Sequence, residues 1–314
     1  MNNYVFKRLD ESLMHLLPPL YKDALDVENT VDQVMKKFDT DDYSGKKNIA
    51  FVAIDEDTNM IAAIYPVFPS IIRYDNKDIL CGQVGDLMTH SLHRRKGLFL
   101  KLAELTHNLA KEEGLRLIFT FTYGENCAYQ GFIQKLGFFH KECLNSYKIP
   151  VRTIPLCRIL KKTRATAALY NLYLKILVAL FYQRQRSFDV QDAKNGHLLK
   201  NKAFFDYKLS YSAGHIIQFD KSSIWFKLTK YGSASVGDIS DFSDPGKIIA
   251  RFKRFCFLAG IRAIQIETSA DTDLDLYLRS EHTFSKDYHL SMLKIDKDVP
   301  CENLKFVFGD LDNF

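Results

Sequence analysis

The chain has 314 residues, 46% of them hydrophobic and 26% charged, with a formal net charge of +5. That length favours two domains over one, each half long enough to bury its own core. The mild, dispersed positive excess suits an anionic ligand such as a nucleotide and argues against a nucleic-acid partner. The six cysteines (Cys81, Cys127, Cys143, Cys157, Cys256 and Cys301) form no CxxC pair, and His140 and the other histidines show no metal spacing, so no metal is expected. The start, MNNYVFKRLDES, lacks a basic region followed by an apolar core. No signal peptide is read there, and a reducing, cytoplasmic setting is the simplest.

Taken in order, Asn3–Leu9 reads as a short strand, followed by helical stretches near Glu11–Leu25 and Val27–Phe38. Asn48–Asp55 and Met60–Phe68, joined by the turn-type linker EDTN, have the pattern of an antiparallel hairpin. Ser70–Leu80 continues the sheet through a turn at Asp75-Asn76. Gln83–His90 is a strand running into the charged turn HRRKG. Leu98, Leu102, Leu105 and Leu109 fall on one helical face of Leu98–Lys111, with Gly114 closing that helix. Leu115–Tyr123 is a buried strand, Asn126–Leu136 a helix ended by Gly137, and Glu142–Pro150 a last strand. The order predicts an α/β fold with a mixed, mostly antiparallel sheet flanked by helices.

Arg152–Arg186 reads as a basic helical connector. Its apolar part, Ala167–Tyr182, is interrupted by Asn171 and Lys175, and its unbroken apolar run is too short to span a bilayer. Packing between domains is the expected role, and a membrane-surface contact of 163–186 is the other reading. Ser187–Gly196 is a polar loop. The second half repeats the plan: strands at Ser223–Leu228 and Ala234–Ile239, a helix at Pro245–Leu258 with proline at its start, a strand at Arg262–Glu267, a short helix at Asp273–Ser280, and closing strands at Tyr288–Lys294 and Leu304–Phe308. A duplicated fold is expected, divided as 1–150, a connector over 151–196, and 197–314.

The chemistry concentrates at Arg94-Arg95-Lys96-Gly97-Leu98-Phe99, a basic turn with glycine at the mouth of a helix. First-turn N–H groups have no intrahelical partner and the helix dipole adds positive charge, so a phosphate fits there. Gly97 lets the backbone approach a pyrophosphate closely.

This stretch resembles the pyrophosphate loop of the Gcn5-related N-acyltransferase superfamily, Q/R-x-x-G-x-G/A after a strand and opening a helix. Arg94 and Gly97 match it, and Phe99 stands where the family has a small residue. Downstream, Asn126-Cys127-Ala128-Tyr129 and Leu136-Gly137-Phe138 resemble the family's N-x-x-A... Y-x-x-x-G-F helix. The resemblance implies acetyl-CoA as acyl donor, main-chain contacts to it from Leu87 and Met88, and a pantetheine contact from Asn126. It also implies a tyrosine that protonates the departing thiolate. Ile133 occupies the tyrosine position, so Tyr129, one helical turn earlier, is the substitute candidate, with Tyr123 a weaker one. In the second half, Phe204-Phe205-Asp206-Tyr207 and the ending Phe308–Phe314 look like parts of a tandem subgroup. The loop SDFSDPG there carries Asp241 and Asp244, which repel a pyrophosphate. That half is expected to shape the acceptor pocket without binding CoA.

Asp86 and His90 flank Met88 on one side of an alternating strand and are the candidate bases. The competing readings are a loop cap for Asp86, a hydrogen-bonded turn residue for His90 and a core aromatic for Tyr129. Cys127 has no histidine at a telling spacing and is read as structural. The expected activity is acetyl transfer to a small-molecule or sugar-linked amine. The alternatives are a non-catalytic CoA-binding module and an aminoacyl transferase of the peptidoglycan type. The oligomeric state, a homodimer included, stays open.

Overall fold

A computed structural model describes residues 3–160, 163–181, 195–219, 222–229, 231–240, 244–312 and 314. The first half runs β1 (Tyr4–Arg8), α1 (Leu17–Leu25), α2 (Val31–Phe38), the single turn α3 (Asp41–Ser44), β2 (Ile49–Asp55), β3 (Met60–Tyr74), β4 (Lys77–Val84), β5 (Met88–Thr89), α4 (Leu98–Glu112), β6 (Leu117–Tyr123), α5 (Cys127–Lys135) and β7 (Phe139–Pro150). The connector holds α6 (Leu156–Leu160) and α7 (Arg164–Phe181). The second half runs β8 (His197–Leu198), α8 (Lys202–Tyr211), β9 (Gly214–Phe219), β10 (Ser222–Leu228), β11 (Ser233–Ile239), α9 (Pro245–Leu258), β12 (Ala263–Thr268), α10 (Asp273–Glu281) and β13 (Phe284–Lys294). The fold is α/β, with a mixed and mostly antiparallel sheet flanked by helices, as the pattern predicts.

The strands form one sheet in the order β1-β2-β3-β4-β6-β13-β7-β12-β11-β10-β9, with β5 and β8 both on β3. Each half contains a parallel pair bridged by a helix: β4 beside β6 through α4, and β11 beside β12 through α9. Each then adds a helix and a final strand. The final strands are exchanged. β13 pairs with β6, and β7 pairs with β12, while β7 and β13 also pair with each other. The core follows the same division. Leu98, Leu102, Ala103 and Ala110 of α4 pack with Ile118 and Phe132, and Ile248, Phe252 and Phe255 of α9 pack with Ile264 and Ile266. Burying one such leucine contributes about 1.5–3 kcal/mol. Leu105 and Leu109 are only half-buried, because Thr106 and Ala110 take the inner face.

Two local expectations are corrected. The strand over Gln83–His90 is broken. β4 ends at Val84, Asp86 takes φ 42°, and β5 turns to pair with β3. Leu304–Phe308 is not a strand. Leu304 and Phe306 are buried, which explains its alternation, but the segment makes isolated bridges only, between short helical turns at Cys301–Asn303 and Phe308–Asp310. The helix α8 and the strand β9 went unread, although Asn201 caps α8 by accepting from the Phe204 N–H at 2.9 Å.

α7 buries Tyr170, Leu174 and Leu177 against the second half and exposes Leu169, Leu172, Ile176 and Leu180. Among the described residues no helix is long and apolar enough to cross a membrane. Tyr182, Arg184, Arg186 and the 187–194 part of the expected polar loop lie outside the described residues.

Candidate active site

The turn between β5 and α4 is held from below. The Asp23 carboxylate accepts from the Ser91 N–H at 2.6 Å and from its hydroxyl at 2.8 Å. Arg95 (φ 62°) and Gly97 (φ 77°) both adopt the left-handed conformation, which turns main-chain N–H groups into a concave, anion-accepting bend. Among the described residues no side chain caps α4. The first intrahelical donor is the Lys101 N–H, which reaches the Gly97 carbonyl at 3.4 Å, so the Leu98, Phe99 and Leu100 amides face outward. A Cβ on Gly97 would meet nothing within 4 Å, so open space lies in front of this helix end. Arg94, Arg95 and Lys96 are exposed around it. Phe99, the departure from the family loop, turns inward. Its ring packs 5.7 Å from Tyr65 and 5.7 Å from Phe132, and a Cβ on Gly131 would come within 2.7 Å of it. The loop itself stays clear. The matching helix α9 differs. The Asp244 carboxylate accepts from the Lys247 N–H at 2.9 Å, and Pro245 has no N–H, so that helix end is closed and acidic. Asp241 lies outside the described residues.

Beside α4 the sheet opens. β4 follows β6 only from Cys81↔Leu117 to Val84↔Thr120, and Phe121–Tyr123 then pair on their other side alone, with β13. The gap leads into a cleft of about 780 Å³ lined by Gly85, Asp86, Leu87, Asn126 and Tyr123, and on the other side by Asp312. Ladder alternation decides which amides face it. The His90 N–H donates to the Ala62 carbonyl at 2.8 Å. Two residues earlier the same phase turns the Met88 main chain toward Ile64, its partner on β3, and Leu87, just before β5, lines the cleft. The Met88 side chain is buried in the core under α1 and α2.

The wall of the cleft holds a buried ionic cluster. Tyr21 donates its hydroxyl to Asp86, and the Lys37 ammonium lies 2.6 Å from the same Asp86 Oδ2 and 3.7 Å from Asp312 Oδ2. Asp312 also accepts from the Asp86 N–H at 3.1 Å. Burial opposes the Lys37 charge, but the Asp86 and Asp312 carboxylates outweigh it and raise its pKa. Burial and the Asp86 charge push the Tyr21 phenol far up, which keeps it a donor. Burial and the Lys37 charge pull Lys227, another lining residue, down to about 8. Gly85 makes room for this cluster, since a Cβ there would stand 2.3 Å from Asp312 Oδ2.

The structure thus brings Asp86, Leu87 and Asn126 to one cleft beside Arg94–Phe99. His90 and Tyr129 are not among its lining residues. The His90 ring accepts from the Leu92 N–H at 3.3 Å and lies 3.7 Å from Asp23. Tyr129 packs its ring on His289 at 4.9 Å and on His140 at 6.1 Å, while Ala128 and Phe132 are the α5 residues that line the cleft with Asn126. Asn126 caps α5 by accepting from the Tyr129 N–H at 3.0 Å. Tyr123 stands at the cleft mouth, 66% exposed, edge-on to Tyr288 at 5.4 Å. Cys127 is exposed. Lys37, Tyr21, Tyr288 and Lys227 went unread, because each lies far along the chain from the loop motif and sits in an ordinary helix or strand pattern. Asp312 belongs to the ending noted as family-like, but nothing in that segment points to Asp86.

Residues 6–138 match the family model of the acetyltransferase (GNAT) domain. No curated protein matches the sequence. Solved structures of similar fold include a conserved protein of Enterococcus faecalis V583 described as a probable N-acyltransferase (TM-score 0.60, 11% identity, 94% of this chain and 73% of that one). A GCN5-related N-acetyltransferase from Kribbella flavida is similar too (TM-score 0.57, 11% identity, 94% and 72%). So is Saccharomyces cerevisiae N-myristoyltransferase with bound myristoyl-CoA (TM-score 0.56, 12% identity, 94% and 79%). At such identities the likeness is one of fold.

Proposed function

We propose that this chain, whose residues 6–138 match the acetyltransferase (GNAT) domain model, moves an acetyl group from acetyl-CoA to an amine. The observation that supports it is the uncapped end of α4 standing beside a gap between β4 and β6 that opens into a cleft lined by Leu87. The diphosphate would lie on the first-turn amides of α4 among Arg94, Arg95 and Lys96, and the pantetheine arm in the gap beside Asn126. The thioester carbonyl would face the Leu87 N–H, which stabilises the oxyanion as charge develops.

The acceptor enters from the side of Asp86 and Asp312. Asp86 Oδ2 is taken by Tyr21 and Lys37, which leaves Oδ1 to receive the ammonium proton. The neutral amine attacks the carbonyl carbon, the C–N bond forms, the nitrogen gives up its surplus proton to solvent, and collapse of the tetrahedral intermediate breaks the C–S bond. The expelled thiolate takes its proton from Tyr123, which lines the cleft, in preference to Tyr129, which does not. Holding donor and acceptor together supplies much of the rate.

The test is release of free CoA from acetyl-CoA with a panel of primary amines, amino sugars included. Release in step with an acetylated amine is expected. Asp86→Asn should lower kcat/KM by about 10²–10⁴-fold while the far-ultraviolet circular dichroism stays unchanged. Saturable CoA binding with no turnover of any amine would favour a non-catalytic module, a reading to which Ile133 in the tyrosine position lends support.

A further inference from the structure

The ladder between β7 and β13 brings together three side chains that the sequence holds far apart. His289 lies opposite Cys143, Leu290 opposite Glu142, and Ser291 opposite His140, so Lys141 is an extra residue on β7. In a regular strand, residues three apart point to opposite faces. The bulge at Lys141 puts His140 and Cys143 on the same face, beside His289. His140 Nε2 is 3.8 Å and His289 Nδ1 is 3.6 Å from Cys143 Sγ. All three potential ligand atoms lie within 4.8 Å of one another.

The two sulfur–nitrogen separations are close to those of a coordination sphere. Zinc bound tetrahedrally at about 2.3 Å from sulfur and about 2.0–2.1 Å from nitrogen sets sulfur and nitrogen about 3.6 Å apart. A thiol is only a weak hydrogen-bond donor, so sulfur–nitrogen contacts of this length do little to hold two imidazoles around it. The surroundings orient the rings. Tyr129 packs on both imidazoles, whose centroids are 5.5 Å apart. Cys143 and His289 are half-buried and His140 is exposed, which leaves one side of the cluster open to solvent.

We propose that His140, Cys143 and His289 form a binding site for one divalent metal ion of the zinc class, with solvent in the fourth position. One thiolate and two imidazoles select such an ion over magnesium or calcium, which take oxygen ligands. The ion joins β13 of the second half to β7 of the first, beside Tyr129. It is independent of the acyl-transfer reading, since none of its ligands lines the cleft.

The test uses the full chain, stripped with a chelator and titrated with Co²⁺ alone. One equivalent should bind and produce the near-ultraviolet charge-transfer band of a cobalt–thiolate bond, and Zn²⁺ should then abolish that band. Cys143→Ser should remove it. His140→Ala and His289→Ala should each weaken binding about tenfold or more, as losing even an outer-shell partner does. Cys127→Ser, which changes the exposed cysteine on α5, should leave the band intact. Absence of the band in the unchanged chain, its survival in Cys143→Ser, or its loss in Cys127→Ser would overturn the proposal.

Discussion

Gly85 is the smallest side chain in the cleft and one of the most constrained. Alanine there would place its Cβ 2.3 Å from Asp312 Oδ2 and 2.7 Å from Asp312 Cβ, too close for the carboxylate merely to rotate away. Gly85→Ala should therefore displace Asp312 from Lys37 and cost about 1–3 kcal/mol, the usual penalty of overpacking. An unchanged urea midpoint would show that the segment moves freely. Lys37→Met is the harsher change. It leaves Asp86 and Asp312 together without their shared cation, and breaking such a buried pair costs about 3–5 kcal/mol. Adding Asp86→Asn should restore part of that loss in a double-mutant cycle, and strict additivity would argue against a shared interaction. Asp86 was legible as a polar residue in an apolar strand. Its partners were not. Tyr21, Lys37 and Asp312 come from two helices and the far end of the chain, and a one-dimensional pattern carries no record of such a meeting.

Helix ends were the most legible elements, because their chemistry is local. RRKG before α4 and SDPG before α9 already separate an anion-accepting end from an acid-capped one, and the structure shows one uncapped and the other closed by Asp244. Bulges were the least legible, because an extra residue is defined only against a partner strand. Lys141 in β7 therefore hid the convergence of His140 and Cys143. β12 offers a separate check. Glu267 is fully buried opposite Ser146 of β7, and burial first, with the Asp287 charge adding to it, raises its carboxyl to about 7. Between the ordinary carboxylate range and about 7, the folded chain binds a proton that the unfolded chain has lost. Stability from this group is fully present below the unfolded pKa and is lost as pH rises through about 7. Glu267→Gln should flatten the dependence across that window, seen as converging denaturant midpoints at pH 5 and pH 8. An unaltered slope would mean that Glu267 is hydrated when folded.

The halves are joined by exchange. β13 fills the place between β6 and β7, and the cleft takes Lys227, Tyr288 and Asp312 from the second half and Asp86, Leu87 and Asn126 from the first. A fragment of residues 1–150 would expose the β6 and β7 edges that β13 covers, and such edges pair with other chains. It should aggregate or unfold without cooperativity, and a fragment that melts in a sharp transition would contradict the exchange. The repeat of element order was readable in the sequence. The crossing of its last strands was not, because β7 and β13 each carry a pattern that suits either neighbour. The proposed transfer rests on donor binding by the first half, and calorimetric titration of the full chain with acetyl-CoA tests it most directly. The unchanged chain should bind saturably. Gly97→Glu, which brings a carboxylate and a strained φ to the α4 end, should weaken binding tenfold or more (~1.4 kcal/mol). Lys247→Glu, at the closed end of α9, should bind as the unchanged chain does. Equal affinity in Gly97→Glu, or no binding by the unchanged chain, would show that the β4–β6 gap is not where this protein holds CoA.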